Sequence, residues 1–464
     1  MFSTTASFGQ YYWLLYDKAE GLYHLIILGT ILLSAFMGLF YLAAALLFRL
    51  VYRKFSRLYI FIFPAIWVLI DYFRTLGDLA FPWAFLGYTF TSILPLAQLA
   101  SITGVWGLTY LIVLGNMLVV DLIHCYHANV AQAQKWIHFG SFLVFLMIIS
   151  LWGGFRMKKT VPGNPLKTTL LQTNIDQFKW GNKSLDTAFM ILEHTIYEQS
   201  AQNPDLFVGS ESALLCYIAR RPDLNSKIQQ IIDSARTPFI FGSLHWDPAP
   251  SGSQNDYHVY NSAFLAQPGK KSLQPYHKMK LVPFSEAMPF KNINIPILSR
   301  LNLGGADFQN GTDEVVYSTT KTAAAPFICY ESIFPDFVRK RLARGADLIV
   351  VVTNDGWFGK STGPYHHLTM SRMRSIENGV PQVRCANSGI SAIIDKYGRI
   401  DGKTGLYIRT SLSGTVTPGK PDTIYSQWGD WFVLFCALIV SAGIVVLFIK
   451  TATAHWAKNR ERLS

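Results

Sequence analysis

Charge is scarce in this chain. Only 15% of its 464 residues are Asp, Glu, Lys or Arg, where a soluble domain carries about 25%. The scarcity is local. Residues 21–155 and 431–450 are nearly uncharged and apolar, whereas the stretch between them alternates apolar runs, Gly/Pro turns and dispersed charge. Cysteine is scarce too. Cys125, Cys216, Cys329, Cys385 and Cys436 form no CxxC and no Cys/His spacing, so neither a disulfide framework nor a zinc site is indicated. The start lacks a basic segment followed by an apolar run and a cleavage site, so it does not read as a cleaved signal peptide. Repeats and low-complexity tracts are missing. The formal net charge is +12, but the basic residues cluster beside the apolar runs and form no recognition helix, finger or stripe. A nucleic-acid partner is therefore not expected.

What is present is membrane-length hydrophobicity. A span needs about 20 mostly apolar residues. Candidates are Gly21–Phe48, Leu58–Tyr72, Leu96–Leu122 and Trp136–Phe155, with a last one at Trp431–Lys450. Leu79–Leu94, broken by Pro82 and Gly87, suits an interfacial or re-entrant segment. Asp71 and Arg74 close the second candidate, either lining a substrate path or forming an interfacial ion pair. Arg49, Arg53, Lys54 and Arg57 follow the first span, and Lys450, Lys458, Arg460 and Arg462 crowd the tail. The positive-inside rule puts both clusters in the cytoplasm and the middle block outside. Residues 1–20 then lie outside as well, with Tyr11, Tyr12 and Trp13 suited to the interface. The organisation expected is a membrane region over 1–158, an extracytoplasmic domain over 159–428, and a final span with a basic tail over 429–464.

The middle block alternates two periods. Strand-like runs are Thr168–Gln172, Leu206–Val208, Phe239–Gly242, Val259–Ala266, Pro326–Tyr330, Leu348–Thr353 and Ile390–Asp395. Helical spacing recurs in Ser184–Gln199, Asp223–Arg236, Phe334–Arg344 and Pro364–Asn378. Such alternation indicates an α/β domain. Three polar residues follow its apolar runs: Glu211 after Leu206–Val208, Lys278 after Val259–Ala266 and a turn, and Cys329 at the end of Pro326–Ile328. Strand ends are where α/β sites assemble. A Cys at a strand-to-helix bend projects its sulfur, and a nearby helix N-terminus favours the thiolate. The plainer reading keeps Cys329 as a small buried hydrophobe and the two charges as solvated strand ends.

Four segments lift that ambiguity: Phe207–Ala213 (FVGSESA), Tyr276–Glu286 (YHKMKLVPFSE), Phe327–Ser332 (FICYES) and Thr353–Pro364 (TNDGWFGKSTGP). The last continues into His366–Arg374 and Arg384–Ser391. Together they resemble the carbon–nitrogen hydrolase, or nitrilase, superfamily, whose sites use Glu, Lys and Cys in that chain order. The wording of the segments resembles in particular the membrane-embedded apolipoprotein N-acyltransferase family, to which Gln177–Trp180 and Phe81–Tyr88 (FPWAFLGY) are also similar. The resemblance implies a nitrilase-like α-β-β-α sandwich inserted between transmembrane helices. It implies Cys329 as nucleophile, Glu211 as general base and Lys278 as oxyanion stabiliser. Glu286 and Glu331 would be supporting acids, and Trp180 and Tyr330 aromatic residues near the pocket. It further implies ping-pong transfer of an acyl chain from a phospholipid to the α-amino group of a diacylglyceryl-cysteine. The setting implied is the outer side of a bacterial cytoplasmic membrane, and neither metal nor cofactor is implied. A monomer is expected. The long apolar segment Pro283–Asp307, with Met288, Phe290, Ile293 and Ile295, reads as a lid or arm touching the bilayer.

Two departures qualify the resemblance. Gly209 and Ser210 stand where the family usually carries Trp-Pro before the Glu, and the chain begins about three spans later than the family pattern. Two other motifs are decoys. Gly359–Gly363 matches GxSxG but does not sit at a strand-to-helix elbow. His366 and His367 are adjacent and so diverge on a helix, which does not suit a shared metal.

Overall fold

A computed structural model describes residues 2–16, 23–55, 58–127, 133–175, 182–249, 251–252, 256–290 and 307–461. The chain forms two compact units. One comprises Met1–Tyr11, Ile31–Lys158 and Trp428–Ser464, and the other Tyr12–Thr30 and Lys159–Gln427.

The first unit is helical. Among the described residues, four helices are long and apolar enough to cross a membrane: Tyr23–Lys54, Val105–Ile123, Ala133–Arg156 and Trp431–Thr453. The protein is therefore a membrane protein. Tyr59–Phe73 is shorter, 15 residues, or about 22 Å at 1.5 Å per residue against a hydrocarbon core of about 30 Å. The expected span Leu96–Leu122 is not continuous. It breaks at Gly104, whose φ of +66° ends a short turn Ala100–Thr103, and the long helix starts at Val105. Asp71 and Arg74 form a buried ion pair, 2.9 Å apart. Arg74 also donates to Trp83 O at 2.7 Å and to Tyr11 Oη at 3.2 Å. Tyr11 is thus buried.

Among its described residues the second unit contains twelve strands: β1 Leu166–Gln172, β2 Leu206–Gly209, β3 Phe239–Pro248, β4 Tyr257–Ala266, β5 Gln274–His277, β6 Tyr317–Ser318, β7 Ala323–Ile328, β8 Leu348–Thr353, β9 Gln382–Ala386, β10 Ala392–Ile394, β11 Ile400–Lys403 and β12 Thr410–Val416. They make two six-stranded sheets, in the orders β12-β1-β2-β3-β4-β5 and β11-β10-β9-β8-β7-β6. Each sheet has three parallel central strands, β1-β2-β3 in one and β7-β8-β9 in the other, flanked by antiparallel neighbours.

Strand alternation explains the layering. Ala324 and Ile328 of β7 and Leu348, Val350 and Val352 of β8 join Leu170, Val208, Ile240 and Leu265 in a core between the sheets. The alternate residues Phe327, Ile349 and Val351 face Val338 and Leu342 of the helix Pro335–Leu342. On the other sheet, Leu171, Phe207 and Phe239 face the helices Asn182–Ser200 and Pro222–Ala235 through Phe189, Leu192, Ile228 and Ile232. Opposite faces of a pleated strand bury against different layers, and the result is the helix–sheet–sheet–helix sandwich expected.

Three local expectations change. β7 ends at Ile328, because Cys329 opens a 3-10 turn, Cys329–Ile333. A strand at Gln274–His277 carries the chain directly into Lys278. A fully buried strand at Gln382–Ala386 stands where none was expected. Trp13, expected at an interface, is buried edge-on against Phe358 within this unit, with ring centroids 4.6 Å apart.

Candidate active site

The three residues that follow the strands converge. Glu211 follows β2, Lys278 follows β5, and Cys329 follows β7. Lys278 is buried, with Nζ 2.7 Å from Glu286 Oε1 and 3.5 Å from Glu211 Oε1. Asn261 on β4 ties the carboxylates together, its Nδ2 donating to Glu211 Oε1 at 2.8 Å and to Glu286 Oε1 at 3.0 Å. The backbone N–H of Asn354, just past β8, donates to Glu211 Oε2 at 3.0 Å. The main-chain N–H of Val282 donates to Glu286 Oε2 at 2.8 Å.

Two acids share one lysine, and this sets the protonation of the group. Burial works against a charged Lys278, but Glu286 and Glu211 outweigh it and raise its pKa above the usual lysine range. Burial raises the pKa of Glu211, opposed by Lys278 and reinforced by Glu286. Burial, then the nearby Glu211, pushes the Cys329 thiol well above its ordinary value, against the pull of Lys278. That direction runs against the thiolate expected near a helix N-terminus, and the segment that follows, Cys329–Ile333, is a short 3-10 turn.

Cys329 sits at φ +50°. A left-handed non-glycine residue costs about 1–3 kcal/mol and persists only where its surroundings hold it. Glu331 is one holder. Its Oε2 accepts from Ile328 N at 2.7 Å, and its Oε1 accepts from Met279 N at 2.6 Å, Tyr276 Oη at 2.8 Å and Lys280 N at 3.2 Å. One buried carboxylate thus fastens the turn bearing Lys278 to the turn bearing Cys329. Burial raises its pKa, against the charge of Arg341 and these hydrogen bonds. Tyr330 is buried edge-on against Phe334, with centroids 5.1 Å apart.

The departure at Gly209-Ser210 has a steric basis. A Cβ on Gly209 would lie 3.0 Å from the Phe239 ring and 3.1 Å from Phe241 Cβ, so β3 fills that space. Glu211 in turn rests on Gly242, where a Cβ would come within 2.6 Å of Glu211 Cα. Of the expected arm, Met288 and Phe290 are half-buried, after a turn closed by Phe284 N donating to Ala287 O at 2.9 Å. Ile293, Ile295 and Trp180 lie outside the described residues.

The sequence reading gave no role to a second buried group behind Cys329. Asp355 accepts from Arg384 Nη2 at 2.8 Å, and its Oδ1 lies 2.8 Å from His367 Nδ1. Burial disfavours the Asp355 carboxylate, but Arg384 and His367 hold its pKa well below the usual range. The signal available was Asp355, His367 and Arg384 standing within the matched segments. Asn261 carried none.

Among the described residues, two clusters carry the donor types of a metal site. Cys329, Asp355 and His367 lie within 4.8 Å of one another, but the Arg384 guanidinium already occupies Asp355 and repels a cation. His245, Asp247 and His277 lie equally close. Their imidazoles are nearly parallel, 19° apart with centroids at 5.0 Å, and a metal bound in the plane of one ring lies off the plane of the other. Arg220 binds Asp247 at 2.5 Å. Neither cluster fits an ion as it stands.

Comparison with known proteins gives this geometry a context. The carbon–nitrogen hydrolase family profile matches residues 193–418, and that of the apolipoprotein N-acyltransferase N-terminal domain matches residues 1–118. An apolipoprotein N-acyltransferase of Geobacter metallireducens is 35% identical over 395 residues, covering 85% of this chain and 75% of that protein. Those of Rickettsia prowazekii and Bradyrhizobium diazoefficiens are 33% and 31% identical, covering 84% and 91% of this chain and 76% and 79% of theirs. Among solved structures, a mutant amidase of the nitrilase superfamily from Nesterenkonia aligns over 57% of this chain and 95% of its own, with 19% identity and a TM-score of 0.41.

Proposed function

This chain belongs to the apolipoprotein N-acyltransferase family, and from that premise we propose that it moves an acyl chain from a membrane phospholipid, through a thioester on Cys329, to the α-amino group of a lipoprotein diacylglyceryl-cysteine. The observation that carries this reading is the buried Lys278 ammonium, 2.7 Å from Glu286 and 3.5 Å from Glu211, in electrostatic reach of a neutral Cys329 thiol.

The chemistry runs in two halves. As Cys329 Sγ bonds to the ester carbonyl carbon, Glu211 takes the thiol proton. Charge moves onto the carbonyl oxygen, where the Lys278 ammonium and a backbone N–H stabilise it. Glu286 keeps the ammonium charged and oriented. Collapse breaks the ester C–O bond, Glu211 returns the proton to the departing lysophospholipid oxygen, and a thioester remains. The neutral α-amine then attacks the thioester carbon. Glu211 accepts an amine proton and passes it to the departing sulfur, so the products are an amide and the free thiol. Water competes with the amine, which suits an apolar pocket walled by the arm at Met288 and Phe290. The proposal places residues 159–428 outside the cytoplasmic membrane, with Arg49, Arg53, Lys54 and the basic tail inside. The enzyme would work as a monomer without cofactor.

Incubation of the purified full chain with phospholipid should leave one acyl adduct by intact mass, absent in Cys329→Ala. A diacylated lipopeptide should discharge that adduct to an amide. An adduct that survives Cys329→Ala rejects the nucleophile, and discharge only to water makes the protein a hydrolase.

A further inference from the structure

We propose that His367 positions the backbone donor of the oxyanion site by holding the carbonyl of Cys329; the inference rests on the reading of Cys329 as the acylated nucleophile. The Cys329 carbonyl and the Tyr330 N–H belong to one planar trans peptide and point in opposite directions. Whatever grips the carbonyl therefore aims the N–H. Two side chains grip it. Ser332 Oγ donates at 2.8 Å, and His367 Nε2 stands 3.2 Å away. Nε2 is also 3.2 Å from Ser332 Oγ. Ser332 and His367 are buried.

The proton count favours an Nε2–H. A carbonyl oxygen only accepts, so its contact with His367 needs a hydrogen on Nε2. On the other side of the ring, Nδ1 lies 3.0 Å from Arg384 Nη2 and 2.8 Å from Asp355 Oδ1. Asp355 already has donors of its own, with Arg384 Nη2 at 2.8 Å from Oδ2 and Thr353 Oγ1 at 3.0 Å from Oδ1. Asp355 Oδ1 and the Cys329 carbonyl both only accept, so the two contacts together call for a hydrogen on each ring nitrogen, and the one on Nε2 grips the carbonyl. Burial and the adjacent guanidinium lower the pKa of His367, against the pull of Asp355 and the Cys329 carbonyl.

The consequence falls on the strained peptide. Cys329 is left-handed, and the peptide that follows it is the unit whose rotation would release the strain. Two donors on its oxygen oppose that rotation. They also polarise the peptide, which strengthens the N–H as a donor to a developing oxyanion. His367 touches neither substrate nor reacting atom, and its effect passes through the backbone.

Acyl transfer builds an oxyanion and alkylation of the same thiol does not, and the test uses that contrast. Single-turnover acylation of Cys329 from phospholipid, read by intact mass, is compared with iodoacetamide alkylation in wild type, His367→Ala, His367→Gln and His367→Asn. The Gln amide nitrogen reaches near the position of Nε2, and that of Asn near Nδ1. His367→Ala should slow acylation by about 10²-fold while alkylation changes by less than about 3-fold. His367→Gln should recover about 10-fold of the loss, and His367→Asn none. Rescue by Asn in place of Gln, or alkylation falling in step with acylation, overturns the proposal. Equal acylation of wild type and His367→Ala overturns the role of His367 alone. A wild type that takes no acyl group overturns the function proposed above as well.

Discussion

The sheet containing β1–β5 supplies Glu211, Asn261 and Lys278, while the sheet containing β6–β11 supplies Cys329 and the Asp355–Arg384 pair behind it. On the first sheet the charges face the nucleophile and compete, with two carboxylates for one ammonium and a Glu211 pKa raised by burial. On the second, Asp355 lies within 4.8 Å of Cys329 and pairs with Arg384 at 2.8 Å, with an Asp355 pKa held low. The two carboxylates thus shift in opposite directions, burial prevailing at Glu211 and the paired charges at Asp355. Glu331 binds strand ends of the two sheets together, as the Asn354 N–H does through Glu211.

Four substitutions test this division. Lys278→Met should have the largest effect, because it removes the cation shared by Glu211 and Glu286. Acylation should fall by about 10³-fold or more, and chemical unfolding should show a loss of about 3–5 kcal/mol. Adding Glu286→Gln should restore melting temperature but not acylation; if both return, Lys278 serves only stability. Glu211→Gln should cost about 10²–10⁴-fold in acylation yet stabilise the fold. A carboxyl whose folded pKa is raised contributes stability below its unfolded pKa and loses it as pH rises through the folded value. The melting advantage of Glu211→Gln should therefore be present at neutral pH and vanish under acid conditions, and the opposite trend would contradict the raised pKa. Glu331→Gln should reduce acylation by about 10²-fold by loosening both turns. Because it bridges the two sheets, alkylation of Cys329 should change with it. Gly242→Ala should act least, moving Glu211 by its backbone at a cost of about 1–3 kcal/mol in stability, and an unchanged acylation rate would show that Glu211 tolerates the shift.

Much of the sandwich was legible because strands such as β2 and β8 are short apolar runs that the sequence displays openly. β9 was not, since QVRCA carries Arg384 at its centre, a charge tolerated there only because Asp355 neutralises it. β5 was hidden by Pro275, which a strand accepts on an edge. The apolar run Leu96–Leu122 concealed a break that depends on the positive φ of Gly104. Glu211, Lys278 and Cys329 were legible through their surrounding words. Asn261 was not, because an Asn in a strand announces nothing until two carboxylates are found beside it. The state of the Cys329 thiol also needed the third dimension, since it follows from burial and the distant Glu211.

The grip of Glu331 on Met279 and Lys280 is made entirely through main-chain N–H groups. Such a grip does not read side-chain identity. An engineer seeking a different donor preference is free to vary positions 279 and 280 without retuning the clamp, and proline, which has no N–H to offer, is the one residue the clamp itself forbids there.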